Sequence, residues 1–191
     1  LSEAIQELEL GNPLKPETDL GPIINETSLN KLTSHKEKLI KSGKEFVELK
    51  NTIPNKGYFF NPIAFKVNSI NDIDGEKFGP ILHFIKYKAE ELESILEEVN
   101  GTGYGLTMGM HSRISGKARQ VFENANIGNF YLNRDIVGAV VGVQPFGGQG
   151  LSGTGPKAGG PNYLHSFVNE KTFTDNVMAT GGNIDLLIKN N

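Results

Sequence analysis

The segment EELESILEEVNG, residues 90–101, decides the fold class because it reads as a helix set between two strands. Its apolar residues follow the i, i+3, i+4, i+7 spacing of one helix face: Leu92, Ile95, Leu96 and Val99. Asn100-Gly101 is a typical helix end. Strand-like runs at residues 81–87 and 106–111 flank this helix, and the alternation predicts an α/β fold with a largely parallel sheet.

The same alternation extends outward in both directions. Further helices are predicted at residues 2–10, at residues 28–42 and from Ser115 onward, and further strands at residues 46–49, 64–67 and 127–132. The helix at 28–42 has an apolar stripe of Leu29, Leu32, Leu39 and Ile40, and Gly43 ends it. The helix that Ser115 caps is predicted to bury Ala118, Val121, Phe122 and Ala125. Residues 166–173 are predicted to form an extended arm.

Composition excludes several classes of protein. Of the 191 residues 37% are hydrophobic, and the net charge is −3 without a basic patch, so we expect no nucleic-acid partner. The longest apolar run, residues 136–143, is too short to span a membrane. The four histidines show no metal-ligand spacing, and the chain has no cysteine, so no metal site or cysteine nucleophile is predicted. Without a signal peptide we expect a cytoplasmic protein, and the initial Leu1 suggests a fragment.

A glycine-rich segment follows residue 136 and includes a G-x-G-x-x-G match at residues 148–153. A dinucleotide loop must open a helix, but Pro156 and Pro161 prevent a regular helix here, so we reject that interpretation. Two interpretations stay open. One is a flexible surface loop. The other is a loop fixed at both ends whose backbone N–H groups, near Gly138 and Ala139, bind a carboxylate or a phosphate.

Three stretches, in this order, resemble the aldehyde dehydrogenase superfamily: E-x-F-G-P at residues 76–80, YGL at 104–106, and PFGG at 145–148 followed by Ser152-Gly153. The longer stretch NRDIVGAVVGVQPFGG, residues 133–148, continues with LSGTGPKAGGP at 151–161. This pair is similar to the dehydrogenase domain of bifunctional proline utilization A proteins. The resemblance covers nearly the whole chain and is weakest at residues 44–63 and beyond 175.

The resemblance implies roles for five residues. Glu76 would accept hydrogen bonds from the nicotinamide ribose, and Phe78 would pack against the nicotinamide; the residues alone also fit a solvated charge and a core aromatic. Gly138 and Ala139 would hold the substrate's α-carboxylate through backbone N–H groups, although a plain turn is the alternative. Phe146 would form an aromatic wall of the aldehyde pocket or occupy a core position.

The resemblance also implies an NAD-dependent enzyme that oxidises L-glutamate γ-semialdehyde, in a three-layer α/β/α fold with a C-terminal oligomerisation strand. Residues 1–165 would form a partial catalytic domain, and residues 166–191 an arm and tail that make a homodimer. The family's catalytic cysteine would lie upstream, so no catalytic residue is expected here and NAD binding should be weak or absent. The alternatives are a non-catalytic assembly module, which could pair with a separate N-terminal half, or a remnant without function.

Overall fold

The computed structural model describes residues 1–140, 142–176 and 188. Its α-helices are α1 (Ser2–Gln6), α2 (Glu26–Lys41), α3 (Leu92–Gly101) and α4 (Ser115–Asn124). Its strands are β1 (Phe46–Glu48), β2 (Ile63–Lys66), β3 (Ile81–Phe84), β4 (Tyr104–Gly105), β5 (Thr107–Met110), β6 (Asn129–Leu132) and β7 (Gln149–Gly150). The chain divides into two compact units. The first contains Leu1–Gly103 and Arg119–Ala125, and the second contains Tyr104–Ala118 and the described residues from Asn126 onward.

The first unit is built around strand β2. This strand pairs with β1 in antiparallel and with β3 in parallel orientation, and Phe65 lies opposite both Phe46 and His83. Phe65 is fully buried, and Leu32 and Leu39 of α2 pack into the same apolar cluster. Burying one such side chain contributes about 1.5–3 kcal/mol, so this cluster is the main source of stability for the unit.

Helix α2 begins two residues before the predicted start. Asn25 is its N-cap, and the Asn25 side chain accepts a hydrogen bond from the Ser28 N–H at 2.8 Å. Ser28, which was predicted to begin the helix, is therefore inside its first turn. The predicted end is confirmed, since Gly43 follows with φ +73°. Ile40 was predicted to be part of the apolar stripe, but it is 38% exposed because it lies at the edge of that face.

The second unit contains two small sheets. Strands β5 and β6 are parallel, with Met108 opposite Phe130, and β4 pairs with β7 in antiparallel orientation. The described strands therefore form three small sheets of mixed orientation, where the sequence predicted one largely parallel sheet. One reason lies in the connection from β1 to β2, which contains no helix and so returns the chain antiparallel.

Helix α4 starts at Ser115 as predicted, and it buries Ala118 and Val121. Phe122 was predicted to lie on the same buried face, but it is 57% exposed. It lies at the flank of the face that Ala118 and Val121 define, so this part of the prediction is wrong.

The glycine-rich segment is closely packed, which argues against a flexible loop. A Cβ atom on Gly128 would lie 1.7 Å from the carbonyl oxygen of Gly147, so these two backbones touch. The Gly105 N–H donates to Ser152 Oγ at 3.1 Å, which ties the segment to β4. Strand β7 is inside the G-x-G-x-x-G match, and within the described residues turns follow it rather than an α-helix. The rejection of a dinucleotide loop is confirmed.

The predicted extended arm at residues 166–173 is partly wrong. Its first two residues end a 3-10 helix, Tyr163–Phe167, in which the rings of Tyr163 and Phe167 meet edge to face at 5.4 Å. Residues 168–176 form no strand with any described part of the chain. Of the predicted tail, residues 177–187 and 189–191 lie outside the described residues. No described helix has the length and apolar character needed to cross a membrane.

Candidate functional site

A cleft of about 670 Å³ opens beside helix α2 in the first unit, and both Glu76 and Phe78 line it. They belong to the loop that precedes β3, and Gly79 fixes this loop against the helix. A Cβ on Gly79 would lie 2.4 Å from Leu32 Cδ1, so loop and helix approach closely here, and a side chain at this position would displace that leucine. The sequence motif thus places a carboxylate and an aromatic ring at one edge of the cleft.

The exposure of Phe78 decides between its two interpretations. Its side chain is 86% exposed, which excludes a core aromatic. Glu76 is also exposed and has no hydrogen-bonding partner among the described residues, so its carboxylate is free to accept hydrogen bonds from hydroxyl groups. The cleft carries more cationic than anionic side chains; its charged lining residues are Lys31, Lys38, Lys77, Asp74 and Glu76. This combination suits a ligand with a flat ring, a sugar and a negative charge.

His35, one of the residues that line this cleft, contacts a second histidine. The Nε2 atoms of His35, on α2, and His83, on β3, are 2.8 Å apart, and His35 is 5% exposed. Burial, then the positive charges near it, lower the pKa of His35 to about 4, against a weaker opposing effect of Asp74. Burial and Lys77 also lower the pKa of His83. Both rings are therefore neutral at pH 7, and one donates a hydrogen bond to the other.

The spacing of the four histidines does not predict this pair, although another sequence pattern indicates it. His35 shares a helix face with Leu32 and Leu39, at i, i+3 and i+7, and His83 alternates with Ile81 and Ile85 along its strand. Each histidine therefore occupies an apolar position of its element. A polar ring at such a position requires a partner.

The predicted carboxylate anchor follows the end of β6 in the second unit. Asn133, with φ 56°, turns the chain, and its side-chain amide accepts from the Ser112 N–H at 2.9 Å and donates to the Ser112 carbonyl at 3.0 Å. The Val137 N–H donates to Asp135 Oδ1 at 3.1 Å. Gly138 has φ +66°, a backbone conformation that favours glycine. A Cβ there would meet open space, so steric crowding is not the reason for the glycine. Backbone conformation, rather than crowding, selects the residue.

The two amides of the anchor are available to a ligand. Within residues 1–140 and 142–176, neither the Gly138 nor the Ala139 N–H meets an acceptor. The carbonyl of Gly138, in contrast, accepts a hydrogen bond from the Tyr131 hydroxyl at 3.0 Å. Tyr131 is 5% exposed, and it is a contact that the sequence analysis missed. Two adjacent N–H groups at a left-handed glycine can bind a carboxylate oxygen.

Phe146 is half-buried and lies on a fixed stretch of backbone. Its N–H donates a hydrogen bond to the Ala158 carbonyl at 3.1 Å, and its carbonyl accepts one from the Ala158 N–H at 2.9 Å. On either side of it, the Asn129 side chain donates to the Pro145 carbonyl at 2.9 Å and accepts from the Gly147 N–H at 3.2 Å. Glu76 and Phe78 thus meet at one cleft of the first unit, whereas the other three predicted residues belong to the second.

Comparison with known proteins agrees with these features. The sequence profile described as "Aldehyde dehydrogenase family" matches residues 1–173. The bifunctional protein PutA of Klebsiella aerogenes is 41% identical over 177 residues, which are 90% of this chain and 14% of that protein. The 1-pyrroline-5-carboxylate dehydrogenase of Bacillus subtilis is 38% identical over 170 residues, 88% of this chain and 32% of that protein.

A solved structure shows the same fold. A variant of Bradyrhizobium japonicum proline utilization A superimposes with a TM-score of 0.83 and 42% identity, over 94% of this chain and 18% of the other. The chain therefore spans only a minor part of the length of these three proteins. The profile match nevertheless covers both units, including the loop of Glu76 and the anchor of Gly138. The chain belongs to the aldehyde dehydrogenase family.

Proposed function

We propose that this chain supplies the C-terminal part of the catalytic unit of an NAD-dependent L-glutamate γ-semialdehyde dehydrogenase, which acts in the conversion of proline to glutamate. The names of the relatives support this: one is a bifunctional PutA protein, and another is a 1-pyrroline-5-carboxylate dehydrogenase. In the intact enzyme the strands of this chain would belong to a three-layer α/β/α domain.

The observation that carries the proposal is the pair of amides at Gly138 and Ala139. L-glutamate γ-semialdehyde differs from a simple aldehyde by its α-carboxylate and α-amino group. Backbone N–H groups that have no partner within the described residues would bind that carboxylate through charge-assisted hydrogen bonds, worth about 1.5–3 kcal/mol each. Phe146 would form an apolar wall for the aldehyde chain.

NAD, which aldehyde dehydrogenases generally use, fits the cleft of the first unit. Glu76 would accept hydrogen bonds from the ribose hydroxyls, and the exposed ring of Phe78 would pack against the nicotinamide. When bound, NAD would supply the hydride acceptor. These two residues contact only one end of the cofactor, so we expect this chain alone to bind NAD weakly or not at all.

The chemistry itself would need a nucleophile that this chain does not contain, because it has no cysteine. The family resemblance assigns attack on the aldehyde to a cysteine thiolate. We therefore expect no NADH production from the chain alone with the semialdehyde. A rate above the buffer control would contradict this division of labour.

For residues 166–191 we propose a role in dimer formation, with residues 1–165 as the partial catalytic domain. Large apolar side chains in this part of the chain are exposed, among them Phe167, Val168 and Phe173. Their exposure also favours the second candidate, an assembly module that pairs with a separate N-terminal half. Light scattering of the chain should give a mass above that of one copy, and a monomer at working concentration would contradict the dimer. Such a monomer would leave the pairing with a separate N-terminal half as the remaining candidate.

The anchor is tested in the full-length enzyme by Gly138→Val. A β-branched residue does not readily adopt φ +66°, so the two N–H groups should shift. The Michaelis constant for the semialdehyde should rise well over tenfold, at about 1.4 kcal/mol per decade, with a much smaller change for propanal. Gly43→Val is the matched control, since Gly43 follows helix α2 in the first unit, has φ +73° and has open space for a side chain. An equal loss for both aldehydes would refute the anchor.

A further inference from the structure

We infer that Tyr131 is a positioning residue for the substrate carboxylate, because its hydroxyl holds the Gly138–Ala139 peptide with the Ala139 N–H turned away from it and toward the ligand. This inference rests on the proposed function, since it concerns the same anchor. The Tyr131 side chain would set the orientation of that peptide. Binding of the carboxylate would then depend on a phenol that does not itself contact the ligand.

One peptide unit, between Gly138 and Ala139, determines where the Ala139 N–H points. The carbonyl of Gly138 and the N–H of Ala139 belong to the same planar group, and no described peptide bond is cis. In a trans peptide the C=O and N–H bonds point to opposite sides. The Tyr131 hydroxyl donates to the Gly138 oxygen at 3.0 Å. The side of the peptide that carries the Ala139 N–H is therefore the side away from Tyr131.

This orientation would be poorly defined without the hydroxyl. A glycine allows the peptide that follows it to rotate at low cost, because it has no Cβ to restrict the backbone. The other contacts in this loop fix Asn133 and the Asp135–Val137 turn before Gly138, and the Val140 carbonyl after it, which accepts from the N–H groups of Val143 and Gln144. None of these contacts is made to the Gly138–Ala139 peptide itself. Among the described contacts, the one from Tyr131 is the only one that holds the Gly138 carbonyl.

Tyr131 itself is well placed to impose an orientation. It lies inside β6, paired opposite Gly109 of β5, and its side chain is 5% exposed. The guanidinium of Arg134 covers its ring at 4.7 Å from the centroid. On the neighbouring strand, a Cβ on Gly109 would meet Ile136 at 2.4 Å, so the start of the loop also packs against the sheet. Strand, ring and loop thus form one fixed support.

The test removes only the hydroxyl, by Tyr131→Phe in the full-length enzyme. Losing one hydrogen bond that orients the anchor should raise the Michaelis constant for L-glutamate γ-semialdehyde about three- to tenfold while kcat stays within about twofold. The dissociation constant of the product, L-glutamate, should weaken by a similar factor in calorimetry. Kinetics with propanal, which has no carboxylate, should stay within about twofold.

The matched control is Tyr163→Phe, which removes a phenol hydroxyl elsewhere in the second unit and should change none of these constants. The inference is overturned if Tyr131→Phe leaves the constants for the semialdehyde and glutamate unchanged, or if propanal suffers equally. The variant Gly138→Val distinguishes a failure of the anchor itself from a failure of the role assigned to Tyr131. A selective loss in Gly138→Val with none in Tyr131→Phe keeps the anchor and rejects Tyr131, whereas an unselective loss in Gly138→Val rejects the anchor itself.

Discussion

The two units of the chain are held together in different ways. Of the buried hydrophobic residues in the described part of the chain, all but Ala118 and Tyr131 belong to the first unit. The second unit instead exposes many large apolar side chains; among the most exposed are Val137, Leu151, Leu164, Phe167 and Phe173. Its order comes from backbone groups in close contact, as at Gly128 and Gly147. Burial of apolar side chains stabilises the first unit, whereas close backbone–backbone contacts at glycines determine the packing of the second.

This difference predicts opposite sensitivities, and the largest effect should come from truncating the core of the first unit. Phe65→Ala removes a ring that is fully buried between β1 and β3, and it should lower the free energy of unfolding by about 3–5 kcal/mol. Phe167→Ala, in the second unit, removes a ring that is 70% exposed and should cost less than about 1 kcal/mol. Urea denaturation of the 191-residue chain measures both. Similar losses of unfolding free energy in the two variants would show that the buried core of the first unit does not dominate the stability of the chain.

The second unit should respond to the addition of a single methyl group. Gly128→Ala would place a Cβ 1.7 Å from the Gly147 carbonyl oxygen, so the backbones must separate, at a cost of about 2–4 kcal/mol. Gly116→Ala is the control in the same unit: it lies in helix α4 with open space around it, and it should stabilise the chain by up to about 1 kcal/mol. If both variants unfold at the same urea concentration as the wild type, the close approach does not support the unit.

The smallest effect, on pH dependence, should be confined to the first unit. The pKa of His35 is about 4 when folded and 6.5 when free, so the unfolded chain binds the proton more tightly. The stability that neutral His35 contributes is complete above pH 6.5 and is lost as the pH falls toward 4, by on the order of 1–3 kcal/mol. His35→Leu should flatten the fall in melting temperature over this range, whereas His111→Gln, at an exposed position, should not. If the melting temperature of His35→Leu falls with pH as steeply as that of the wild type, His35 is not the source of this pH dependence.

The sequence predicted most elements because their patterns are local. The apolar spacing of α3, the Gly43 stop of α2 and the Ser115 start of α4 each depend on neighbours a few residues apart. Strand pairing does not. Nothing near Gln149 indicates that it pairs with Gly105, and the exposure of Phe122 depends on how its helix packs. These features follow from contacts between distant residues.

The site divides along the same line. Glu76, Phe78, Gly138, Ala139 and Phe146 could be named because they belong to short motifs of the family. Two contacts between residues distant in sequence were missed: Tyr131 donates to Gly138 across a loop, and His35 meets His83 from another element. Short motifs are enough to name candidate ligand-binding groups, whereas contacts between residues distant in sequence require the structure.

The exposure of Phe78 also makes this position suitable for a fluorescence probe. The chain contains no tryptophan, so Phe78→Trp would introduce its only indole, on a side chain that is 86% exposed at the rim of the cleft. Emission from that indole would report what enters the cleft, and reduced nicotinamide would quench it by energy transfer. A fluorescence titration of this chain with reduced nicotinamide cofactor would then measure the weak binding expected of the cleft, without a label attached to the protein.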